Sequence, residues 1–223
     1  MLIFIKHLFF DDIKQVWVDN VIFTIPVGNT PIGVVYNPDN KDVYVANSDS
    51  NTISVIDSTT YTATTNITVG TAPIGVAYNS GNGNMYITNS GSNVVSVINS
   101  TTNQVVGTPI PVGNDPQGLA YNSGNRDMYV TNLSDNTVSV INSANSVIDT
   151  LNVGRGGLGP TNIAYNSGNG NKYMTDEGSG SVYIINSANC VIDTINEGNG
   201  QGGVAYNSDD GNVYDNIHGT GCL

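Results

Sequence analysis

The phrase GVAYNSGNGNMYITN, residues 75–89, recurs with small changes from Gly33, Gly118, Asn162 and Gly203. Its Tyr-Asn pair falls at Tyr36, Tyr78, Tyr121, Tyr165 and Tyr206, at steps of 42, 43, 44 and 41 residues. A short unit of this kind cannot bury its apolar face alone. It must stack on its neighbours, so the repeats form one domain rather than several. Short β segments at a period in the low forties match propeller blades, with one four-stranded antiparallel sheet per repeat.

One full period reads as four strands: a over Pro73–Asn79, b over Asn84–Asn89, c over Asn93–Asn99 and d over Gln104–Ile110. Each is rich in β-branched or aromatic residues. Between them lie SGNG, SGS and STTN, turns whose Gly and Asn tolerate the positive φ of tight hairpins. A longer loop, PVGTAP, leads from strand d to strand a of the next blade. No segment carries a capped 3.6-residue period, so the expectation is all-β.

The words VYVAN, MYITN and MYVTN, followed by NTISVID, NVVSVIN and NTVSVIN and preceded by VGNTPIGVVYN, VGTAPIGVAYN and VGNDPQGLAYN, carry a family resemblance. The chain resembles the YVTN β-propeller repeat family from about Lys14 to the C-terminus. The first three repeats match closely. The fourth departs (KYMTD, SVYIIN) and the fifth stops after its second strand. The resemblance implies a fold common in archaeal and bacterial surface-layer and other exported proteins. It also implies a kinship in fold with propeller lactonases, lyases and haem domains.

The missing strands of the fifth repeat have candidates at the other end of the chain. Lys14–Asn20 fits NTVSVIN, and Val21–Gly28 fits VIDTLNVG. Residues 14–223 also equal five periods of 42 in length. The expectation is therefore a five-bladed ring whose N-terminal strands complete the last blade. Its repeats lie near 29–70, 71–113, 114–154, 155–198 and 199–223 plus 14–28. The competing reading is an open piece of a larger propeller, which leaves strand edges and an apolar blade face bare. Residues 1–13 read as an apolar leader: they lack a signal peptide's basic start and small-residue cleavage site. Their apolar run also falls well short of the roughly twenty residues of a membrane helix.

Six basic against 18 acidic residues give a net charge of −12. That balance opposes nucleic acid and anionic membranes, whose phosphates call for Lys and Arg. Only 11% of residues are charged, so polarity comes mainly from Asn, Ser, Thr and Gly. Such a surface suits an extracellular or cell-surface protein. Two cysteines, two histidines and no CxxC or HExxH pattern point to no metal and no cofactor.

Chain direction places the d–a loops and b–c turns together on one face, where propeller ligands usually bind. Repeats one to three are plain there. The fourth d–a loop is three residues longer than the third. It brings Arg155, Glu177, Glu197 and His218 toward one face, with Asp176 and Asp215 on the strands below. This departure from the repeat is the candidate binding face: Arg155, Glu177, Glu197, Asp215 and His218. His218 flanked by Glu197 and Asp215 could serve as a base in lactonase- or lyase-like chemistry, or as a haem ligand. No complete catalytic constellation accompanies it. The simpler reading is solvated surface charge. The recurring tyrosines read as packing between sheets rather than a sugar platform. The Asn/Asp turns Asn37–Asp42 and Ser48–Asn51 read as turn chemistry rather than calcium loops. Cys190 and Cys222 fall on opposite faces, against a disulfide. Sequons stand at Asn66, Asn99 and Asn132, of consequence only on export into a glycosylating setting.

The functional expectation is a non-enzymatic, exported propeller presenting a polar face to a protein or glycan partner, or to copies of itself. No nucleic-acid binding and no membrane insertion are expected. The alternatives are a lactonase- or lyase-type propeller enzyme and an incomplete gene product.

Overall fold

The computed structural model describes residues 2–6, 21–153, 159–196 and 201–217. Among these there is no helix; every regular element is a strand. Two of them, β1 (Leu2–Lys6) and β2 (Val21–Pro26), form an antiparallel pair. Four antiparallel sheets follow, each with its strands sequential except at the end of the second. Blade 1 holds β3 (Pro31–Tyr36), β4 (Asp42–Asn47), β5 (Thr52–Asp57) and β6 (Thr62–Thr68). Blade 2 holds β7 (Pro73–Asn79), β8 (Asn84–Asn89), β9 (Val94–Asn99), β10 (Gln104–Val105) and β11 (Ile110–Pro111), which pairs with β9 beside β10. Blade 3 runs β12 (Pro116–Asn122), β13 (Asp127–Asn132), β14 (Thr137–Ile141) and β15 (Val147–Asn152). Blade 4 runs β16 (Pro160–Tyr165), β17 (Lys172–Asp176), β18 (Ser181–Ile185) and β19 (Val191–Asn196). A last pair, β20 (Gln201–Tyr206) and β21 (Val213–Ile217), supplies strands a and b of blade 5.

The core lies between sheets. Tyr44, Ile53 and Val55 of blade 1 pack with Met85, Ile87 and Ile98 of blade 2. Tyr86, Val95 and Val97 then meet Leu119, Met128 and Val130 of blade 3. Tyr129, Val138 and Val140 meet Ile163, Met174 and Ile185 of blade 4. Tyr44, Tyr86 and Tyr129 are fully buried, so the YVTN tyrosines are packing residues. Each hydroxyl also reaches the next blade, where Asn103, Asn145 and Asn189 accept at 2.9, 2.6 and 2.7 Å. Those three asparagines adopt positive φ in the c–d hairpin, a conformation Asn tolerates better than other side-chain-bearing residues.

The inner strands crowd one another around the axis. A Cβ on Gly33 would stand 2.1 Å from the Ile74 carbonyl oxygen, and one on Gly75 2.4 Å from that of Gln117. The threonine of the repeat manages the irregular register that follows. Thr88 accepts from the Gly75 amide (2.8 Å) and donates to the Gln117 carbonyl of the next blade (2.6 Å). Thr131 links Gly118 to Thr161, and Thr175 links Asn162 to Gly202, in the same way. Blade 1 has Ala46 at this position and lacks the link.

Strand d of blade 2 departs from expectation. It breaks into β10 and β11 because the segment carries Pro109 and Pro111, which cannot donate to the ladder, and turns at Gly107 with φ of 71°. At the N-terminus, Leu2–Lys6, within the stretch read as an apolar leader, forms a strand. Lys14–Asn20, the expected strand c, lies outside the described residues. Val21–Pro26 does take the strand-d position before blade 1, since Ile25 packs on Val45 and Ile56 as Ile67 does on blade 2. Its partner, however, is β1, and neither β1 nor β2 pairs with β20 or β21. The five-blade count is consistent with the sheets, but the expected closure is not made.

Candidate functional site

The face formed by d–a loops and b–c turns is built three times over from one scheme. The amide of Asn29 donates to Ser50 Oγ (2.7 Å), that of Thr71 to Ser92 Oγ (3.1 Å) and that of Asn114 to Asp135 Oδ2 (2.7 Å). Each b–c turn therefore holds the d–a loop that enters its own blade. A second tie reaches forward: Asn51 Oδ1 accepts from Ala72 of blade 2, and Asn93 Oδ1 from Asp115 of blade 3. Thr30, Ala72 and Asp115 consequently sit at φ of 51°, 52° and 55°, each just before a proline. Such backbone costs roughly 1–3 kcal/mol per residue and persists only where its surroundings enforce it. The Asn114 amide, then its side chain, holds the Asp135 carboxyl below the usual carboxylate range.

Beneath the loops lies the repeat's second asparagine. Asn47, Asn89 and Asn132 are fully buried, and their Nδ2 groups donate to Ser54, Ser96 and Ser139. Asp176 takes this position in blade 4. It is 1% exposed; one oxygen accepts from the Ser179 amide and the other has no partner.

At the centre, the inner strands of all five blades line a cavity of about 380 Å³. Its wall changes around the axis, from Ile32 and Ile74 through Gln117 and Thr161 to Gly202. Among the described residues, nothing lining it is ionisable. The signal was present in the sequence as the most variable position of the inner strand, the middle residue of PIG, PIG, PQG, PTN and QGG.

Of the sequence-derived face, Glu177 is exposed in the b–c turn of blade 4. Asp215 is half-buried in mid-strand opposite Val204, at the level Val130 occupies in blade 3, with Oδ2 unpartnered. Arg155, Glu197 and His218 lie outside the described residues. Among the described residues, no three His, Cys, Asp or Glu side chains gather where they could hold a metal ion. The Asn/Asp turns are braced by their own side chains, as Asn37 and Asn40 accept from the Asp39 and Asp42 amides. Of the sequons, Asn66 is exposed with Oδ1 accepting from Ser54, and Asn99 caps the Thr101 and Thr102 amides. Asn132 is fully buried with Nδ2 engaged, which leaves no room for a glycan in the folded chain. Cys190 is an exposed free thiol; Cys222 lies outside the described residues.

No protein-family model matches the chain, and no curated protein does. Solved structures do. The hydrazine synthase of Kuenenia stuttgartiensis superposes with a TM-score of 0.74 over 90% of this chain at 20% identity. A streptogramin B lyase gives 0.73 over 86% at 15% identity. Virginiamycin B lyase from Staphylococcus aureus gives 0.72 over 84% at 17%. The fold is a β-propeller. At these identities the likeness concerns fold alone, and the chain spans 56%, 65% and 63% of those three proteins.

Proposed function

We propose that the chain is a YVTN-type repeat propeller acting as a non-enzymatic scaffold at the cell surface or outside the cell. It presents the d–a face to a protein or glycan partner, or to copies of itself. The observation that carries this reading is the threefold recurrence of one braced polar platform, with strained loop residues held in place by side chains of the adjoining turns. A rigid array of equivalent loops suits multivalent contact with a repetitive partner. The acidic, Asn/Ser/Thr-rich composition supports an exported setting. The test is capture of a glycan and cell-wall panel by the immobilised chain, repeated with Asp135→Ala. Binding that weakens several-fold in the variant supports the platform, and binding indifferent to it contradicts the platform.

The lyases among the structural neighbours favour a second reading. In it, a propeller enzyme of lyase or lactonase type uses His218 as base. One of those neighbours is a catalytically inactive virginiamycin B lyase solved with quinupristin. Incubating this chain with quinupristin and simple lactones separates the readings by mass spectrometry. Unchanged substrates support the scaffold. Turnover that disappears in His218→Ala establishes the enzyme.

A further inference from the structure

The two ends of the array are complementary halves of one blade. β20 and β21 supply strands a and b. β2 occupies strand d, and its neighbour β1 therefore stands at c. Among the described residues, β21 pairs only with β20 and β1 only with β2, so each half keeps one bare edge. In the order a-b-c-d, the two bare edges would adjoin each other and run antiparallel.

The blade faces match as well. On the leading side of blade 1, Ile32, Val34 and Tyr36 are 53%, 59% and 50% exposed, while Leu119 and Ile163, which correspond to Val34, are 8% and 3% exposed. On the trailing side of blade 5, Tyr214 is 54% exposed, whereas Tyr44, Tyr86 and Tyr129 are fully buried. The most specific match is a polar one. Tyr78 of blade 2 donates to the Asp39 carboxylate in the a–b turn of blade 1. That turn position is Gly81, Gly124 and Gly168 in blades 2 to 4, and Asp209 in blade 5. The position corresponding to Tyr78 in blade 1 is Tyr36. The chain thus carries one Tyr–Asp contact made between its own blades, and the same two residue types exposed at its opposite ends.

We infer that these ends join between chains: the trailing half-blade of one copy receives the leading half-blade of a second. β21 pairs with β1 of the neighbour, Val34 and Tyr36 are covered, and Tyr36 donates to Asp209. This rests on the scaffold reading and names its partner as a second copy. The interface continues one already formed four times within the chain. It is heterologous, and two copies joined at both ends would make ten blades, beyond the usual four to eight or so. Growth head to tail is therefore expected rather than a single dimer.

Light scattering behind a sizing column tests this on the full chain across a concentration series. The expected mass rises above the 23.4 kDa of one chain with concentration. Val34→Glu, at a position exposed in the single chain, should hold the mass at one chain while circular dichroism and Tm stay unchanged. Asp209→Ala should weaken association several-fold. A monomeric mass at every concentration overturns the inference, and oligomers indifferent to Val34→Glu overturn it too. Glycan capture by the d–a face is read independently, so the failure of one does not mimic the failure of the other.

Discussion

Blades 3 and 4 share a backbone and differ where it matters most. In blade 3 the strand DMYVTN places Met128 between sheets and Asn132 beneath the loops, both buried. In blade 4 KYMTD places Lys172 and Asp176 at the same two levels, also buried. Lys172 is accommodated rather than expelled: its Nζ donates to the Asn186 carbonyl and to Asn189 Oδ1, and lies 4.5 Å from the Tyr129 ring centroid. Burial nevertheless pushes its pKa down to about 8, with Asp127 pulling the other way. The repeat thus accommodates the Lys172 ammonium where the c–d hairpin already offers oxygens. One of those oxygens, Asn189 Oδ1, also accepts from the Tyr129 hydroxyl of blade 3.

The largest break in this comparison is Tyr129→Ala, which removes that hydrogen bond, the packing and the lysine's ring together. Loss of about 3–5 kcal/mol in chemical denaturation is expected, as for other buried aromatics. Next comes Lys172→Met, which rebuilds blade 4 on the pattern of blade 3. A gain of about 1–3 kcal/mol is expected at neutral pH, since a lowered lysine pKa means the fold disfavours the charged form. That penalty is fully present below pH 8 and fades as pH rises toward the ordinary lysine value of about 10.4. The advantage of Lys172→Met should shrink over that window, and a constant advantage would locate the effect in packing instead. Thr131→Val should cost about 1–3 kcal/mol, because it leaves the Gly118 amide and the Thr161 carbonyl without their shared hydroxyl. The smallest effect is a gain of about 1 kcal/mol from Asp176→Asn, whose amide can donate to Ser181 as Asn132 does to Thr137.

Strands a, b and c were legible because the repeat fixes their ends. Pro73–Asn79 and Asn84–Asn89 fall where the turns predict, and strand c begins one residue late, at Val94. Strand d of blade 2 was less so, because a β-rich run gives no warning that Pro109 and Pro111 interrupt its ladder. The packing role of the tyrosines was readable from their recurrence. The roles of the threonine and asparagine were not, since their partners lie on the next blade or seven residues along the same hairpin. The braced loops were equally hidden: Ser50, Ser92 and Asp135 look like ordinary turn residues until the d–a amides are seen above them. Ring closure was inferred from length, but length does not decide whether β21 finds β1 in its own chain or elsewhere.

The most direct measurement is amide hydrogen exchange on Val213–Ile217 in dilute solution, set against Asp127–Asn132. The alternate amides of β21 that point away from β20 should exchange far faster than any in β13, and slow as concentration rises. Equal protection of both strands in a chain that stays monomeric would contradict the open arc, and would mean that the two half-blades meet within one molecule.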